Sequence, residues 1–365
     1  MVYSIPYEIG MDKMELDTPV LLLDLDVMEK NISEMAKYFH FVKADLRPHI
    51  KNHMSPIIAH KQIDAGAIGI CCQTIGEAEV MGYSGLKEIL ICNEVIGDIK
   101  IKRLMSLAAH TNVMVTVDDP QNIENLSKAA LKSGRELGVL IDINTGYNRC
   151  GLVPGDSALK LVQQIVKSEG LSFKGINGYT PMYEKDPVKR KEMQEKMLKK
   201  NIDMKDLLEK NNIEVDIISA GCTSVYNIAA EYPGITDVQA CTYVFMDLDN
   251  EEIIGTAPAD LGYALTILTT VISKPTEDRL VIDAGNKCIA TEKSRPKDVT
   301  GIELYQLSAE HGRVRVINPN KEINVGDKME FIPSYCDGTV NRWNKYYGIR
   351  KGNLELVWDI HHYHQ

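Results

Sequence analysis

A chain of 365 residues exceeds the roughly 100 to 200 residues of a typical domain, so two domains, or a large barrel with a smaller partner, are expected. Hydrophobic residues at 44%, charged residues at 25%, 26 glycines and 14 prolines describe a folded globular protein and exclude a disordered or collagenous one. With 51 acidic against 41 basic residues the net charge is -10, so no basic field attracts a phosphate backbone or an anionic lipid surface, and neither nucleic acid nor membrane is an expected partner.

The apolar run 20–23 is cut by Asp24 and Asp26, far short of the roughly 18 to 20 residues of a membrane helix. The opening MVYSIPYEIG has neither a basic start nor a continuous apolar stretch, so no signal peptide is read and the cytoplasm is the expected compartment. Cys71, Cys72, Cys92, Cys150, Cys222 and Cys241 lie in or beside apolar runs without a CxxC pair, which reads as buried reduced thiols.

From about 41 to 244 one unit repeats: a short apolar run closing in polar or glycine residues, then an amphipathic stretch of helical period. In order the runs are 41–51 (FVKADLRPHIK), 67–73 (AIGICCQ), 88–93 (EILICN), 112–118 (NVMVTVD), 138–144 (GVLIDIN), 173–179 (FKGINGY), 214–219 (EVDIIS) and 237–244 (DVQACTYV). Eight runs alternating with helices predict parallel strands in a (β/α)8 TIM-type barrel. A dinucleotide-binding sheet would need GxGxxG after its first strand, and neither GAIGI nor NTGYNRCG has that spacing. Beyond about 247, the runs 265–272, 279–282, 314–317, 328–332 and 354–358 between turn-rich pieces predict a C-terminal all-β domain. The boundaries read as 17–246 for the barrel and 247–365 for the β-domain, joined by residues 1–16, with the run 19–25 (PVLLLDL) open to membership of either.

Barrel enzymes carry their chemistry at the C-terminal ends of the strands, so the residues that close each run are the candidates. The first run ends with Arg47, His49 and Lys51 alternating toward one face, the barrel interior. An inward lysine is driven toward the neutral amine, which condenses with a carbonyl; a surface lysine just past the strand end is the other reading of Lys51. The fifth run leads into a glycine-punctuated loop that brings Arg149 over the mouth, a guanidinium suited to a phenolate or carboxylate. Residues 219–224 (SAGCTS) precede a helical stretch, either a phosphate cradle of backbone N–H groups or a plain N-cap by Thr223 or Ser224.

Taken together, LDTPVLLLDLDVMEKNI, RPHIKNHMSPIIAHKQIDAGAIGICCQTIGEAEV, the NRCG and SAGCT segments, VQACTYVFMD, EHG at 310–312 and IPSYCDGTVN resemble the fold-type III pyridoxal-phosphate enzymes, in the D-threonine aldolase and D-serine dehydratase branch of the alanine racemase superfamily. The resemblance implies pyridoxal 5'-phosphate on Lys51, with His49 beside it, Arg149 near its phenolic oxygen, and Tyr179, Gly221, Cys222 and Thr223 around its phosphate. Gln239 falls where alanine racemases set an arginine against the pyridine nitrogen; a neutral amide there implies an unprotonated or weakly bonded nitrogen and a poorer electron sink.

Two departures bear on the reaction. The lyases of this branch hold a divalent metal (Mn, Mg or Zn) through a histidine and an Asp or Cys two residues later; here the stretch is Tyr335-Cys336-Asp337, which leaves Asp337 as the metal candidate with Tyr335 in the histidine's place. The Tyr-His-Gly of the branch reads Tyr179-Thr180-Pro181. The C-terminal His361, His362 and His364 read as a solvated tail. The resemblance implies a cytoplasmic homodimer acting on a small amino acid: a lyase for a β-hydroxy D-amino acid, by retro-aldol cleavage or elimination. The alternative is a metal-independent racemase or epimerase with Lys51 and Tyr335 as its two bases, the phenol made acidic by Arg342 or Lys345. A non-catalytic cofactor-binding module is a third class, against which the long C-terminal region speaks.

Overall fold

The computed structural model describes residues 7–254 and 258–362. Residues 35–241 form one compact unit with 253–254 and 258; residues 7–34, 242–252 and 259–362 form the other.

The first strand, β1 (Val20–Asp24), belongs to the second of these units. The other unit is the expected barrel. Among the described residues, eight parallel strands follow in chain order: β2 (Asp45–Leu46), β3 (Ile70–Cys72), β4 (Glu88–Glu94), β5 (Asn112–Val117), β6 (Leu137–Asp142), β7 (Leu171–Gly178), β8 (Ile217–Ala220) and β9 (Asp237–Val238). Their spatial order runs β2-β9-β8-β7-β6-β5-β4-β3. A parallel bridge between His49 and Cys71 brings the two ends together, backed by the Cys71 N–H donating to the Pro48 carbonyl at 2.8 Å. A strand covered on both faces needs a continuous apolar run, and β6 (LGVLID) is buried at every position.

The helices between strands follow from ordinary signals. Pro120–Ser133 starts at an Asp119 N-cap with proline in its first turn and stops at Gly134, whose φ of 66° is left-handed. Asp156–Lys167 buries Ala158, Leu161, Val162 and Ile165, the i, i+3, i+4, i+7 stripe of a helix laid on a sheet. Inside the barrel Cys71, Leu90, Cys92, Met114 and Leu140 pack as an apolar cluster. All eight cysteines are free, with Cys150 and Cys222 half-buried and the rest buried.

The other unit is built on a nine-stranded sheet among the described residues. Here the boundary expected at 17 moves: β1 pairs antiparallel with Leu265–Thr276 (Val20 opposite Leu268) and parallel with Lys345–Arg350 (Leu22 opposite Tyr347). The reason is packing, since Leu16, Val20, Leu22, Leu268, Tyr347, Ile349 and Leu354 form one core. Three strands beyond those expected, the two-residue Arg295–Pro296 with Ile302–Leu307 and Lys345–Arg350, complete the sheet. In Ile302–Leu307 only Leu304 is buried, so its apolar signal is thin; Lys345–Arg350 is carried by tyrosines flanked by Lys345 and Arg350. The unit is also not purely β, because helices Leu248–Ile254 and Cys336–Val340 are present, the former shared between the two units. No helix among the described residues is long and apolar enough to cross a membrane.

Candidate active site

Arg47 and His49 point into the barrel and are buried, as their alternation predicts, but Lys51 is not a strand residue. The strand gives way at His49 to a 3-10 turn, Ile50–Asn52, because the His49 Nδ1 accepts the Lys51 backbone N–H at 3.3 Å and caps the turn. Lys51 therefore stands half-buried on a turn at the barrel mouth, between the inward and surface readings. Since Nδ1 is an acceptor, the ring proton sits on Nε2, which donates to Gln73 Oε1 at 3.1 Å. Burial, reinforced by the Lys51 charge, holds the His49 imidazole well below its ordinary pKa, so it is neutral.

Across the mouth, Arg149 rides on a loop shaped by Asn144, whose Oδ1 accepts from the N–H groups of Gly146 (2.9 Å) and Asn148 (3.1 Å). Gly151 closes the loop with φ 88°, where a Cβ would lie 2.8 Å from the Asn144 nitrogen, and its N–H donates to Asp118 Oδ2 at 3.0 Å. The Arg149 guanidinium lies 4.7 Å from the ring centroid of Tyr179, which closes β7. Burial raises the Tyr179 phenol, so it remains a neutral O–H donor.

The 219–224 segment is not a plain N-cap. Neither Thr223 nor Ser224 caps the turn Thr223–Val225, which has no side-chain cap, and neither does any side chain cap the following helix Tyr226–Glu231. The Thr223 Oγ1 instead accepts the Cys241 N–H at 2.9 Å and the Ser224 hydroxyl donates to the Met182 carbonyl at 3.0 Å. Gly221, at φ 79°, has no room for a side chain: a Cβ would sit 2.9 Å from Ala229 Cβ. Its N–H donates to Thr180 Oγ1 at 3.0 Å, so Thr180, which stands in the position of the branch's histidine, is buried and occupied in tying two loops together.

Beneath these groups runs a polar relay that run-end reasoning did not pick out. Asn177 Nδ2 donates to Asp142 Oδ1 at 2.6 Å; Gln239 Nε2 donates to Asn177 Oδ1 at 2.7 Å and to Ser219 Oγ at 2.8 Å. Ser219 donates to Asp237, which pairs with Arg47 Nε at 3.3 Å. All six side chains are buried. Burial pushes the Asp142 carboxyl up to about 7, against the pull of its Asn177 hydrogen bond. Asp142, Asn177 and Ser219 are polar residues in otherwise apolar stretches of β6, β7 and β8, which is the signal that was available in the sequence.

The 335–337 segment belongs to the other unit. Tyr335 precedes the short helix Cys336–Val340 and is 46% exposed. Cys336 is turned into the core, its thiol toward the Met246 carbonyl and its N–H donating to Asp247 Oδ2 at 3.0 Å. The cations expected to acidify Tyr335 have other partners: Arg342 Nε donates to the Asn286 carbonyl at 2.7 Å and Lys345 pairs with Asp359 at 2.8 Å. Among the described residues no group of three or more His, Cys, Asp or Glu side chains gathers to hold a metal, and in this segment Tyr335 is a phenol, Cys336 faces the core and Asp337 is the one carboxylate. Of the C-terminal histidines, His361 is exposed, whereas His362 is half-buried with its Nε2 2.6 Å from the Trp343 carbonyl oxygen; His364 lies outside the described residues.

Comparison with known proteins matches residues 23–240 to the alanine racemase N-terminal domain and residues 264–349 to the family described as "Putative serine dehydratase domain". The 3-hydroxy-D-aspartate aldolase of Paracoccus denitrificans (strain Pd 1222) is 34% identical, across 98% of this chain and 95% of that protein. The crystal structure of D-threonine aldolase from Filomicrobium marinum superposes with a TM-score of 0.94 at 32% identity, covering 97% of this chain and 98% of that one. Alanine racemase 2 of Caldanaerobacter subterraneus matches more distantly, at 23% identity over 96% of this chain and 86% of that protein. The chain belongs to the alanine racemase family, in the group of full-length relatives that includes the D-threonine and 3-hydroxy-D-aspartate aldolases.

Proposed function

We propose that the protein is a pyridoxal-phosphate-dependent carbon–carbon lyase that cleaves a β-hydroxy D-amino acid to an aldehyde and the shortened amino acid. The observation that carries this reading is the assembly at one barrel mouth of Lys51 on its capped turn, Arg149 over Tyr179, and the uncapped turn after Gly221. These residues fit the cofactor: the turn after Gly221 has no side-chain cap to compete with a phosphate, and the tight packing around Gly221 fixes the loop.

In this reading Lys51 Nζ is the attachment point for the cofactor aldehyde, and bound pyridoxal phosphate supplies a conjugated sink for the electron pair left on Cα when Cα–Cβ breaks. The neutral His49 fixes the turn without adding a charge that would compete with Lys51 and Arg149. The Tyr179 phenol donates to a phosphate oxygen, alongside the backbone N–H groups of the uncapped turn. Arg149, stacked on Tyr179, binds an anionic oxygen, and Lys51 Nζ, once exchanged for the substrate amine, accepts the β-hydroxyl proton. The residues given roles here are those of the barrel mouth, and Asp337 is the one carboxylate of the segment where the branch holds its metal.

Racemisation is the weaker reading: the racemase match is distant, and Arg342 and Lys345 are engaged away from the role it would need. The test is to load the protein with pyridoxal phosphate and supply D-threonine or D-allo-threonine, with manganese or with EDTA, following acetaldehyde, glycine and Cα configuration. Equal amounts of aldehyde and glycine, abolished in Lys51→Ala, are expected. Inversion at Cα without aldehyde would overturn the lyase reading.

A further inference from the structure

We propose that the buried relay from Asp142 to Arg47 locks the Gln239 amide with its carbonyl oxygen turned to the site, where it accepts a hydrogen bond from a protonated ring nitrogen of the cofactor. This rests on the lyase reading in one respect, that pyridoxal phosphate is carried by Lys51.

The orientation of Gln239 is dictated from the ion-paired Asp237 end, and the Asp142 end is consistent with it. Asp142 accepts from Asn177 Nδ2 at 2.6 Å, which leaves Asn177 with a carbonyl oxygen facing Gln239. At the other end Ser219 has one proton, and it gives it to Asp237, a carboxylate paired with the buried Arg47 at 3.3 Å. Ser219 Oγ therefore has lone pairs to offer Gln239. Both N–H groups of the Gln239 amide are consumed, on Asn177 Oδ1 at 2.7 Å and Ser219 Oγ at 2.8 Å. Flipping the amide would set its oxygen against two acceptors in a dry interior, so the orientation follows from chemistry rather than from assignment of look-alike atoms. The Gln239 Oε1 makes no hydrogen bond among the described residues and can serve only as an acceptor. The Asp237 end alone fixes which Gln239 atom faces Ser219, so this orientation does not depend on the protonation of Asp142.

The placement follows from the strand order. Gln239 comes just after β9, which lies between β2, leading to Lys51, and β8, leading to Gly221. In pyridoxal phosphate the ring nitrogen is para to the aldehyde carbon, and the phosphate arm is beside that carbon. With aldehyde and phosphate held at those two anchors, the nitrogen edge points into the barrel, where Gln239 is the intervening polar side chain and is 4% exposed. A carbonyl oxygen cannot bond an unprotonated pyridine nitrogen; it stabilises the protonated one. The expectation that a neutral amide leaves the nitrogen unprotonated and the ring a poor electron sink is therefore reversed: the relay tilts the ring toward its electron-poor form. Asp142, Asn177, Ser219 and Asp237 act through Gln239 and are positioning residues.

The test is 15N NMR of the substrate-free protein loaded with pyridoxal phosphate labelled at the ring nitrogen. Loading is checked separately by borohydride reduction and mass analysis of the Lys51 peptide. The resonance is expected at the protonated position in the wild type and shifted to the unprotonated position in Gln239→Met, which keeps the side-chain length and loses the acceptor. If Gln239→Met does not fold, the wild-type resonance decides alone. A loaded wild type with an unprotonated nitrogen, or a loaded Gln239→Met that keeps the proton, overturns the relay's role. No cofactor on Lys51 overturns the lyase reading instead.

Discussion

The two units place their candidate site residues in different surroundings. In the barrel unit, Arg47, Asp142, Asn177, Ser219, Asp237 and Gln239 are each at most 7% exposed and are joined into one network. In the sheet unit, the residues that stand where the branch has its metal ligands are Tyr335, 46% exposed, and a half-buried Asp337, while Cys336 between them faces the core. A buried network tolerates few substitutions because each member left without its partner keeps the full cost of desolvation. This chain departs from the branch it resembles in both settings, at the half-exposed Tyr335 and at the buried Thr180, which is tied into the barrel by the Gly221 N–H.

That contrast is sharpest in Asp237→Leu, which strands the buried Arg47 without its ion-pair partner; a loss of about 3 to 5 kcal/mol of unfolding free energy is expected in urea titration. Adding Arg47→Met should recover most of the loss, and a double mutant as unstable as the sum of the singles would mean the pair is not coupled. Next comes Thr180→Val, which keeps the shape but deprives the Gly221 N–H and Gln194 Nε2 of their acceptor. A cost of about 1 to 3 kcal/mol and weaker retention of pyridoxal phosphate on dialysis are expected.

A gentler handle is pH. Burial pushes Asp142 up to about 7 and Asp247 up to about 6, whereas an unfolded aspartate titrates near 4. Between those values the folded chain holds protons that the unfolded chain has given up, so these two groups stabilise the fold at low pH and that contribution is lost as pH rises from about 4 to about 7. Asp142→Asn, which still accepts from Asn177, should flatten the part of this slope nearest pH 7 in urea midpoints taken along the series; an unchanged slope would remove Asp142 as its source. Smallest of all is Arg350→Ala, which dissolves a surface cluster with Asp26, Glu29 and Glu355 and should cost no more than about 1 kcal/mol.

Much of the barrel was legible because its signals are local. An apolar run buried on both faces, an Asp-Pro helix start and a terminal glycine each act within a few residues, and each of the eight strands falls in one of the eight runs to within two residues at its ends. Lys51, His49, Arg149 and the 219–224 segment stood out as candidates for the same reason, since strand ends are marked by the change from apolar to polar, whereas Tyr179 came from the family resemblance. What was not legible depended on partners far along the chain. The run of β1 is open to either unit when read alone, and its membership of the sheet is decided by Leu268 and Tyr347, more than 200 residues away. The relay joins positions 47, 142, 177, 219, 237 and 239, each of which is an isolated polar residue until the barrel closes. The turn that lifts Lys51 out of the strand depends on a side-chain cap by His49, a geometry that alternation along a strand does not foresee.

The most direct test is to load the protein with pyridoxal phosphate, reduce it with borohydride, digest it and locate the added phosphopyridoxyl mass. One addition per chain on the peptide containing Lys51, absent from Lys51→Arg, is the predicted result. Mass on a different lysine, or a protein that retains no cofactor at all, would contradict it.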